Sequence, residues 1–264
     1  MTFDRSKYIE EPSSIEMELK IIFKHKFPSI IFEIGACEGE DSIKYSRLFP
    51  GSKIFSFEPL PNNIELMKKN FLKYGIKNVS LYNLALSSEN GIADFFVSDG
   101  RPENAIDSDW DYGNKSSSLL TPKNHTVLAN FINFEKKILV QTIKLKTFCI
   151  NNNINQIDFI HLDVQGAELM VLEGATDFIS SVKLIWLEVS KLDIYRGQPL
   201  VDDISKFMKK NNFTLFKDSL KGIQGDRLYI SETFFSKNTI LFFKCRVFLG
   251  SILKRVAVKI GIEK

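Results

Sequence analysis

Short apolar runs that alternate with longer segments of helical spacing constrain the fold of this chain more than any other feature. The runs are rich in β-branched and aromatic residues, which is typical of buried strands. The predicted strands are residues 30–34, 53–57, 79–84, 157–163 and 182–189. Apolar residues three and four positions apart predict helices at 61–74 and 199–211. Strands that alternate with helices form βαβ units, so we expect an α/β fold with a mainly parallel, doubly wound sheet.

Other parts of the chain depart from this alternation. Two late apolar runs, 213–217 and 227–231, surround a glycine-containing connection and predict an antiparallel edge to the sheet. The segment 98–124 is polar and turn-rich, and a loop of that length inside a compact domain is usually a lid or a binding loop. The expected organisation is a helical lead-in at 1–27, a main domain at 28–232 that contains the candidate lid, and a C-terminal segment at 233–264.

The positive charge of the chain is concentrated at its C-terminal end. The net charge is +3, whereas residues 231–264 hold five Lys and two Arg against Glu232 and Glu263, which is +5. The main body is therefore near neutral, and nucleic-acid binding through phosphate neutralisation is not expected. Basic and apolar residues alternate in 233–264, which predicts a basic amphipathic helix able to lie on an anionic membrane surface. Docking of this helix on the protein's own body, or in a homodimer, is the alternative.

Cysteine spacing and the N-terminal sequence bear on the cellular compartment. Cys37, Cys149 and Cys245 are widely spaced and form no CxxC pair, so neither a disulfide framework nor a zinc site is expected. The N-terminus has no apolar run behind a basic start, and no stretch reaches about 18 uninterrupted apolar residues. These features predict a cytoplasmic protein, with the C-terminal helix as a candidate for peripheral contact at the inner face of the membrane.

The first predicted strand ends in a turn that contains two glycines, residues 33–39 (EIGACEG). Glycines there let the backbone approach a ligand closely and let the next helix point its N-terminus at it. The dinucleotide fingerprint GxGxxG would need glycines where the chain has Cys37 and Glu40. The pattern E-x-G-x-x-x-G is instead similar to that of class I methyltransferases, whose turn holds the ribose and methionine parts of S-adenosylmethionine.

Two further strand ends carry acidic residues. Glu58 follows the second strand, 23 residues after Gly35, where a carboxylate can accept both hydroxyls of a ribose. Asp163 ends the fourth predicted strand, and the carboxyl ends of neighbouring parallel strands meet at one edge of a sheet. His161 projects to the same side as Asp163 and is the first candidate for a base that removes a hydroxyl proton. Asp163 is the second candidate, and a packed core histidine is the alternative for His161.

Seven patches of sequence resemble FkbM-type methyltransferases and occur in the order typical of that family. They are residues 33–36 (EIGA), 57–59 (FEP), 85–87 (ALS), 116–120 (SSSLL), 163–168 (DVQGAE), 195–200 (YRGQPL) and 225–230 (GDRLYI). The resemblance covers about residues 28–232 and implies a Rossmann-like class I methyltransferase fold. It also implies methyl transfer from S-adenosylmethionine to a hydroxyl of a small molecule or glycan, often a sugar or a secondary metabolite. The family commonly has Lys at the position of His161.

The resemblance and the strand-end motifs together give the candidate site residues. The residues expected to bind the cofactor are Glu33, Gly35, Ala36, Gly39, Glu58, Pro59, Ala85 and Asp163. Those expected to bind the acceptor substrate are Ser117, Ser118, Gln165, Glu168 and Glu188. His161 and Asp163 are the catalytic candidates, and no metal-ligand set is expected.

Two other functions stay open from the sequence alone. One is an NAD- or nucleotide-sugar-dependent oxidoreductase on the same architecture, although Cys37 and Glu40 interrupt its fingerprint. The other is a non-catalytic module that keeps the cofactor pocket. Product formation with a real acceptor would separate such a module from an enzyme.

Overall fold

The computed structural model describes residues 4–103, 113–125 and 129–259, and for 254–259 the backbone alone. The helices are α1 (Arg5–Glu10), α2 (Glu16–Ile22), α3 (Glu40–Leu48), α4 (Pro61–Lys73), α5 (Leu145–Asn151), α6 (Glu168–Gly174), α7 (Val201–Lys210) and α8 (Lys237–Lys259). The strands are β1 (Ile30–Ile34), β2 (Lys53–Phe57), β3 (Val79–Tyr82), β4 (Ala85–Ser87), β5 (Gly91–Asp99), β6 (Asn133–Lys144), β7 (Ile157–Leu162), β8 (Val182–Ser190), β9 (Phe213–Asp218) and β10 (Gln224–Ser231).

Seven of the strands in the described residues form one sheet, in the order β3-β2-β1-β7-β8-β10-β9. The five strands β3, β2, β1, β7 and β8 run parallel to one another. Strand β10 is antiparallel to both β8 and β9. The predicted α/β class, with a mainly parallel doubly wound sheet and an antiparallel edge, is therefore confirmed. Chain order runs outward from β1 in both directions, so the β1–β7 crevice is the topological switch point where such sheets bind ligands.

Apolar side chains cover both faces of this sheet, because its central strands have no solvent-facing side. In β1, Phe32 and Ile34 belong to one core, which helices α5, α6 and α7 cover. Ile31 belongs to the opposite core, which helices α2, α3 and α8 cover. Burial on both faces explains why these strands are recognisable as short continuous apolar runs in the sequence.

A second sheet, in the order β4-β6-β5, is not predicted by the sequence pattern. Strands β4 and β6 are parallel, β5 and β6 are antiparallel, and Phe95 and Val140 pack with Ala85 in a small core. Ile92 and Leu139 lie on the open side of this sheet, each 71% exposed. Exposed apolar residues and several lysines blur the alternation of period two that would otherwise mark these strands.

The candidate lid, 98–124, is partly built into this architecture. Its first two residues end β5, and residues 104–112 lie outside the described chain. The part from 113 onward contains the short 3-10 helix Asn114–Ser116 and a bridge between Ser118 and Phe96 of β5. A second bridge joins Pro122 to Tyr195. Residues 113–124 are therefore held against the body by several backbone contacts.

The terminal segments pack together on one face of the sheet. Helices α1 and α2 occupy the N-terminal lead-in, and α8 occupies most of the C-terminal segment. Ile240 of α8 joins the core that contains Ile15 and Leu19 at α2. Among the described residues, no helix is both long enough and apolar enough to cross a membrane.

The aromatic cluster around Phe148 gives a stability prediction. Phe148 is buried and stacks edge-on to Phe57 and Tyr82, with ring centroids 4.7 and 4.8 Å away. Phe148→Ala removes the ring that joins α5 to the sheet, so we expect a loss of about 3–5 kcal/mol in the free energy of unfolding. Urea denaturation measures it. Ile150→Ala, at an exposed position of the same helix, should change it by less than about 0.5 kcal/mol. A similar cost for both variants would contradict the packing argument.

Candidate active site

The carboxyl ends of β1, β2 and β7 converge at the switch point and define a cleft. Its polar groups include the carboxylates of Glu58 and Asp163, and apolar side chains such as Phe57, Leu86 and Phe95 form much of its wall. A mostly apolar cleft with a few fixed polar groups is the usual form of a small-molecule site.

The turn after β1 depends on the absence of a side chain at Gly35. Gly35 has φ +87°, and a Cβ there would lie 1.7 Å from the Asp163 carbonyl oxygen, so no other residue fits. The Gly35 and Ala36 N–H groups both donate to the Phe57 carbonyl at 3.0 Å. Gly39 also has positive φ and begins α3 at a point where a Cβ would meet the Phe71 ring. The turn is thereby fixed against both neighbouring strands.

Glu58 is buried at the end of β2 and is held by the main chain. Its two carboxylate oxygens accept hydrogen bonds from Cys37 N–H at 2.9 Å and Leu60 N–H at 2.8 Å. Burial raises the pKa of Glu58 to about 7, although these two bonds favour the ionised form. A side-chain hydrogen bond with Asn63 favours the ionised form as well. The carboxylate is therefore held in one orientation at the end of β2.

The turn after β7 is organised by Glu168. One oxygen of its buried carboxylate accepts the N–H groups of Val164 and Gly166 at 3.1 and 3.2 Å. Gln165 has φ +56° and donates its side-chain amide to Asp163 at 2.6 Å. These bonds fix Asp163 at the cleft, where its N–H also donates to the Ile34 carbonyl. Glu168 thus shapes the turn.

Residues 114–118 lie along the cleft and contact residues on two sides of it. The Asn114 amide donates to Glu38 at 2.9 Å, and Lys115 lies 3.4 Å from Glu40, at the start of α3. Ser118 donates to the Gln165 carbonyl at 2.7 Å on the β7 side. Asn114 and Lys115 also contribute to the cleft wall. This segment therefore forms part of the cleft wall and also lies over part of the cleft.

A second cavity, which we call the histidine cavity, adjoins the cleft at Gly35, Cys37, Lys115 and Asp163. It has a volume of about 190 Å³ and is lined further by Tyr8, Glu33, Ala36, Glu40, Asp41 and His161. Glu33 and His161 face each other in the parallel register of β1 and β7. His161 Nδ1 is buried and has no hydrogen-bond partner among the described residues, and the ring packs edge-on to Tyr45. The imidazole is therefore free to take a partner from a ligand.

Two groups of side chains in the described part of the chain could hold a cation. They are Glu33, Asp41 and His161, and Asp163, Glu168 and Glu188, with ligand atoms within 4.8 Å of one another in each group. Burial and the nearby carboxylates raise the pKa of both Glu33 and Glu188, and burial raises that of Glu168 to about 7. Protonation of these carboxyls relieves the repulsion between them, as a bound cation would.

The comparisons with known proteins agree with this geometry. A family model described as Methyltransferase FkbM domain matches residues 33–215. The chain belongs to the FkbM methyltransferase family. The 2-O-methyltransferase NoeI of Sinorhizobium fredii is 30% identical over 82% of this chain and 85% of that protein. Methyltransferase 1 of Beauveria bassiana is 26% identical over 67% of this chain and 74% of that protein. The resemblance seen in the sequence is confirmed, and the protein is an S-adenosylmethionine-dependent methyltransferase.

Solved structures with similar architecture include methyltransferases at low identity. Precorrin-6y C5,15-methyltransferase from Geobacter metallireducens has 14% identity and a TM-score of 0.40, covering 86% of this chain and 83% of that chain. The N-terminal domain of EvdMO1 with SAH bound has 12% identity and a TM-score of 0.42, covering 83% and 82%.

The candidate residues of this FkbM protein fall into three groups. Those that line the cleft are Gly35, Glu58, Pro59, Ala85, Ser117, Asp163 and Gln165. Those that line the histidine cavity are Glu33, Gly35, Ala36, His161 and Asp163. Those that line neither cavity are Gly39, Ser118, Glu168 and Glu188. The polar side-chain atoms of Ser118 and Glu168 form hydrogen bonds with main-chain groups. These two residues therefore stabilise the turn after β7, beside the site.

Sequence reasoning did not single out several residues that the fold brings to the site. Lys115 and Asn114 lie just before one of the patches that carried the resemblance, and that proximity was the available signal. Tyr8 comes from α1 and lines the histidine cavity, where its hydroxyl donates to Asp41 at 3.0 Å. Its contribution depends on the packing of α1 against α3, which no local pattern records.

Glu168 gives a prediction about the pH dependence of stability. Its pKa in the folded protein is about 7, above the usual value near 4.3, so the folded state binds more protons between these values. The free energy of unfolding should therefore fall as pH rises from about 5 to about 8, by up to about 3 kcal/mol from this group. Glu168→Gln is neutral throughout and should flatten the dependence, whereas Glu65→Gln at an exposed site should not. Urea denaturation at both pH values measures this, and equal slopes in all three proteins would refute it.

Proposed function

We propose that this FkbM methyltransferase transfers a methyl group to a hydroxyl oxygen of a sugar or glycan. The observation that carries the proposal is the pairing of two connected sites. A cleft with the buried Glu58 carboxylate adjoins a cavity that contains His161, and Asp163 lines both. The relative NoeI, a 2-O-methyltransferase, supports an oxygen acceptor. A hydroxyl of a secondary metabolite is the second class of acceptor.

The cleft has the chemical features that an S-adenosyl group requires. Glu58 offers two carboxylate oxygens to adjacent ribose hydroxyls, and Phe57, Leu86 and Phe95 offer apolar surface to an adenine ring. A dinucleotide fits less well, because Cys37 and Glu40 replace glycines that a pyrophosphate needs. Family membership and this mismatch both favour the methyltransferase over an NAD-dependent oxidoreductase.

The residues of the chain have separate roles in this proposal. When bound, S-adenosylmethionine supplies an electrophilic methyl group on its sulfonium sulfur. Glu58 would hold the ribose, and the close Gly35–Asp163 contact would fix the turn that lines the cofactor site. His161 accepts the acceptor hydroxyl's proton as the new O–C bond forms and the C–S bond breaks. Asp163, which lines both cavities, is the second candidate for this role.

The residues around the mouth of the cleft would exclude water during transfer. Residues 114–118 already contact Glu38, Glu40 and Gln165, so a small movement of this segment opens or closes the entrance.

All three cysteines are free thiols, with Cys149 buried, which supports function in the reducing cytoplasm.

The role of Glu58 predicts a pH-dependent affinity for S-adenosylhomocysteine. The ionised carboxylate accepts two hydroxyls, and its pKa is about 7, so affinity should rise from about pH 6 to about pH 8. Glu58→Gln should weaken binding about tenfold or more and remove the pH dependence, since a neutral amide has one acceptor oxygen. Calorimetric titration measures both effects. Glu65→Gln on the exposed face of α4 is the control, and unchanged affinity in Glu58→Gln would reject the ribose assignment.

The role of His161 predicts a specific loss of turnover. With a methyl glycoside panel as acceptors, His161→Ala should lower kcat by about 10²–10⁴ and leave affinity for S-adenosylhomocysteine unchanged. His25→Ala, at an exposed histidine, is the matched control. A loss below about tenfold, or full activity with the same pH profile in His161→Lys, would assign the step to Asp163 or to positioning. Cofactor binding without product for any acceptor would favour a non-catalytic module.

A further inference from the structure

Helix α8 packs one of its faces on the protein body. Ile240 is buried, and Phe243 and Val247 pack against the same core, which includes residues of α2 and α3. The Lys244 ammonium donates to the Leu215 carbonyl at 2.8 Å, and a Cβ at Gly250 would lie 3.2 Å from the Met17 sulfur. These contacts fix the orientation of α8, so the opposite face must point away from the body.

The opposite face of α8 is also apolar, and we call it the outer face. It consists of Leu241, Phe242, Phe248, Leu249, Ile252 and Leu253, which are between 40% and 69% exposed. Their spacing places them on one side of a helix. They are six of the eleven large apolar residues that are exposed in the described chain, and the other five are scattered. Single exposed apolar residues are ordinary, whereas a contiguous apolar stripe marks an interaction surface.

The charge of α8 identifies the occupant of this face. Its sequence from 237 to 259 contains six basic residues, Lys237, Lys244, Arg246, Lys254, Arg255 and Lys259, and no acidic residue. Pairing with α8 of a second copy would bring like charges together around the apolar stripe. An anionic lipid surface matches both properties, because it accepts apolar side chains and attracts basic ones.

We propose that the outer face of α8 docks the enzyme on a bilayer that contains anionic lipids. The helix lies in the plane of the headgroups, with its outer face at the acyl boundary and its inner face still packed on the core. This arrangement requires no spanning segment, in agreement with the described helices. It is independent of the identity of the methyl acceptor, since none of the described α8 side chains, up to residue 253, lines the cleft or the histidine cavity.

Sedimentation of the full-length protein with vesicles tests the docking. The protein should bind vesicles of phosphatidylcholine with 30% phosphatidylglycerol about tenfold or more tightly than vesicles of phosphatidylcholine alone. The double variant Phe248→Glu with Ile252→Glu should lower binding to the anionic vesicles about tenfold or more. The matched control is Leu72→Glu with Ile150→Glu, which puts the same charges at exposed apolar positions of α4 and α5 and should bind like the wild type. Unchanged melting temperatures verify that both variants are folded.

An environment-sensitive fluorophore on Cys245 gives a second measurement. Cys245 is exposed and shares the outer side of α8 with Leu241 and Phe248 by helical spacing. Its emission should shift to the blue when anionic vesicles are added, and labelled Cys245→Ser protein should show no such shift. Equal vesicle binding by the outer-face and control variants would overturn the proposal. So would equal binding of the wild type to vesicles with and without anionic lipid. Dimers in sedimentation velocity that the outer-face variant abolishes, with no vesicle binding by the wild type, would assign the face to a second copy instead.

Discussion

The contact between the Gly35 backbone and the Asp163 carbonyl determines how the rest of the site is arranged. A Cβ at residue 35 would lie 1.7 Å from that oxygen, so the ends of β1 and β7 approach as closely as they do only because the residue is glycine. The same approach aligns Asp163 N–H with the Ile34 carbonyl and leaves Asp163 between the cleft and the histidine cavity. Both cavities therefore share a wall whose position is fixed by backbone sterics, and side-chain variation elsewhere cannot shift it much.

Buried carboxylates give this wall its chemistry. Glu58 and Glu168 both have a pKa of about 7 because burial disfavours the charge, yet each accepts two main-chain N–H groups that favour it. The balance leaves each group close to its titration point near neutral pH. Glu58 lines the cleft, whereas Glu168 lines neither cavity and holds its own turn. Similar electrostatics thus occur at a strand end that lines the cleft and at one that organises a local turn.

The difference between these two glutamates also shows what the sequence could and could not predict. Strands β1, β2, β7 and β8 were predictable because burial on both faces gives each a short continuous apolar run. Such a run can be recognised in the sequence without knowledge of the neighbouring strands. Strands β5 and β6 were not, since Leu139 faces solvent although it lies in a strand. Glu58 and Glu168 both follow buried strands in the sequence, and only the hydrogen bonds of the folded turn separate their roles. Tyr8 reaches the histidine cavity through helix packing, which leaves no local signature.

The parts of the chain outside the family match are needed to complete the domain. The match ends at residue 215, yet β10 (Gln224–Ser231) lies between β8 and β9 in the sheet. It begins at residue 33, yet Tyr8 of α1 closes the histidine cavity and α2 shares a core with Ile240 of α8. The N-terminal lead-in therefore contacts the site at one end and the tail helix at the other. Because α2 and the sheet bury the inner face of α8, the helix is fixed at the surface with its apolar outer face exposed. A free amphipathic tail could instead turn its apolar side away from water.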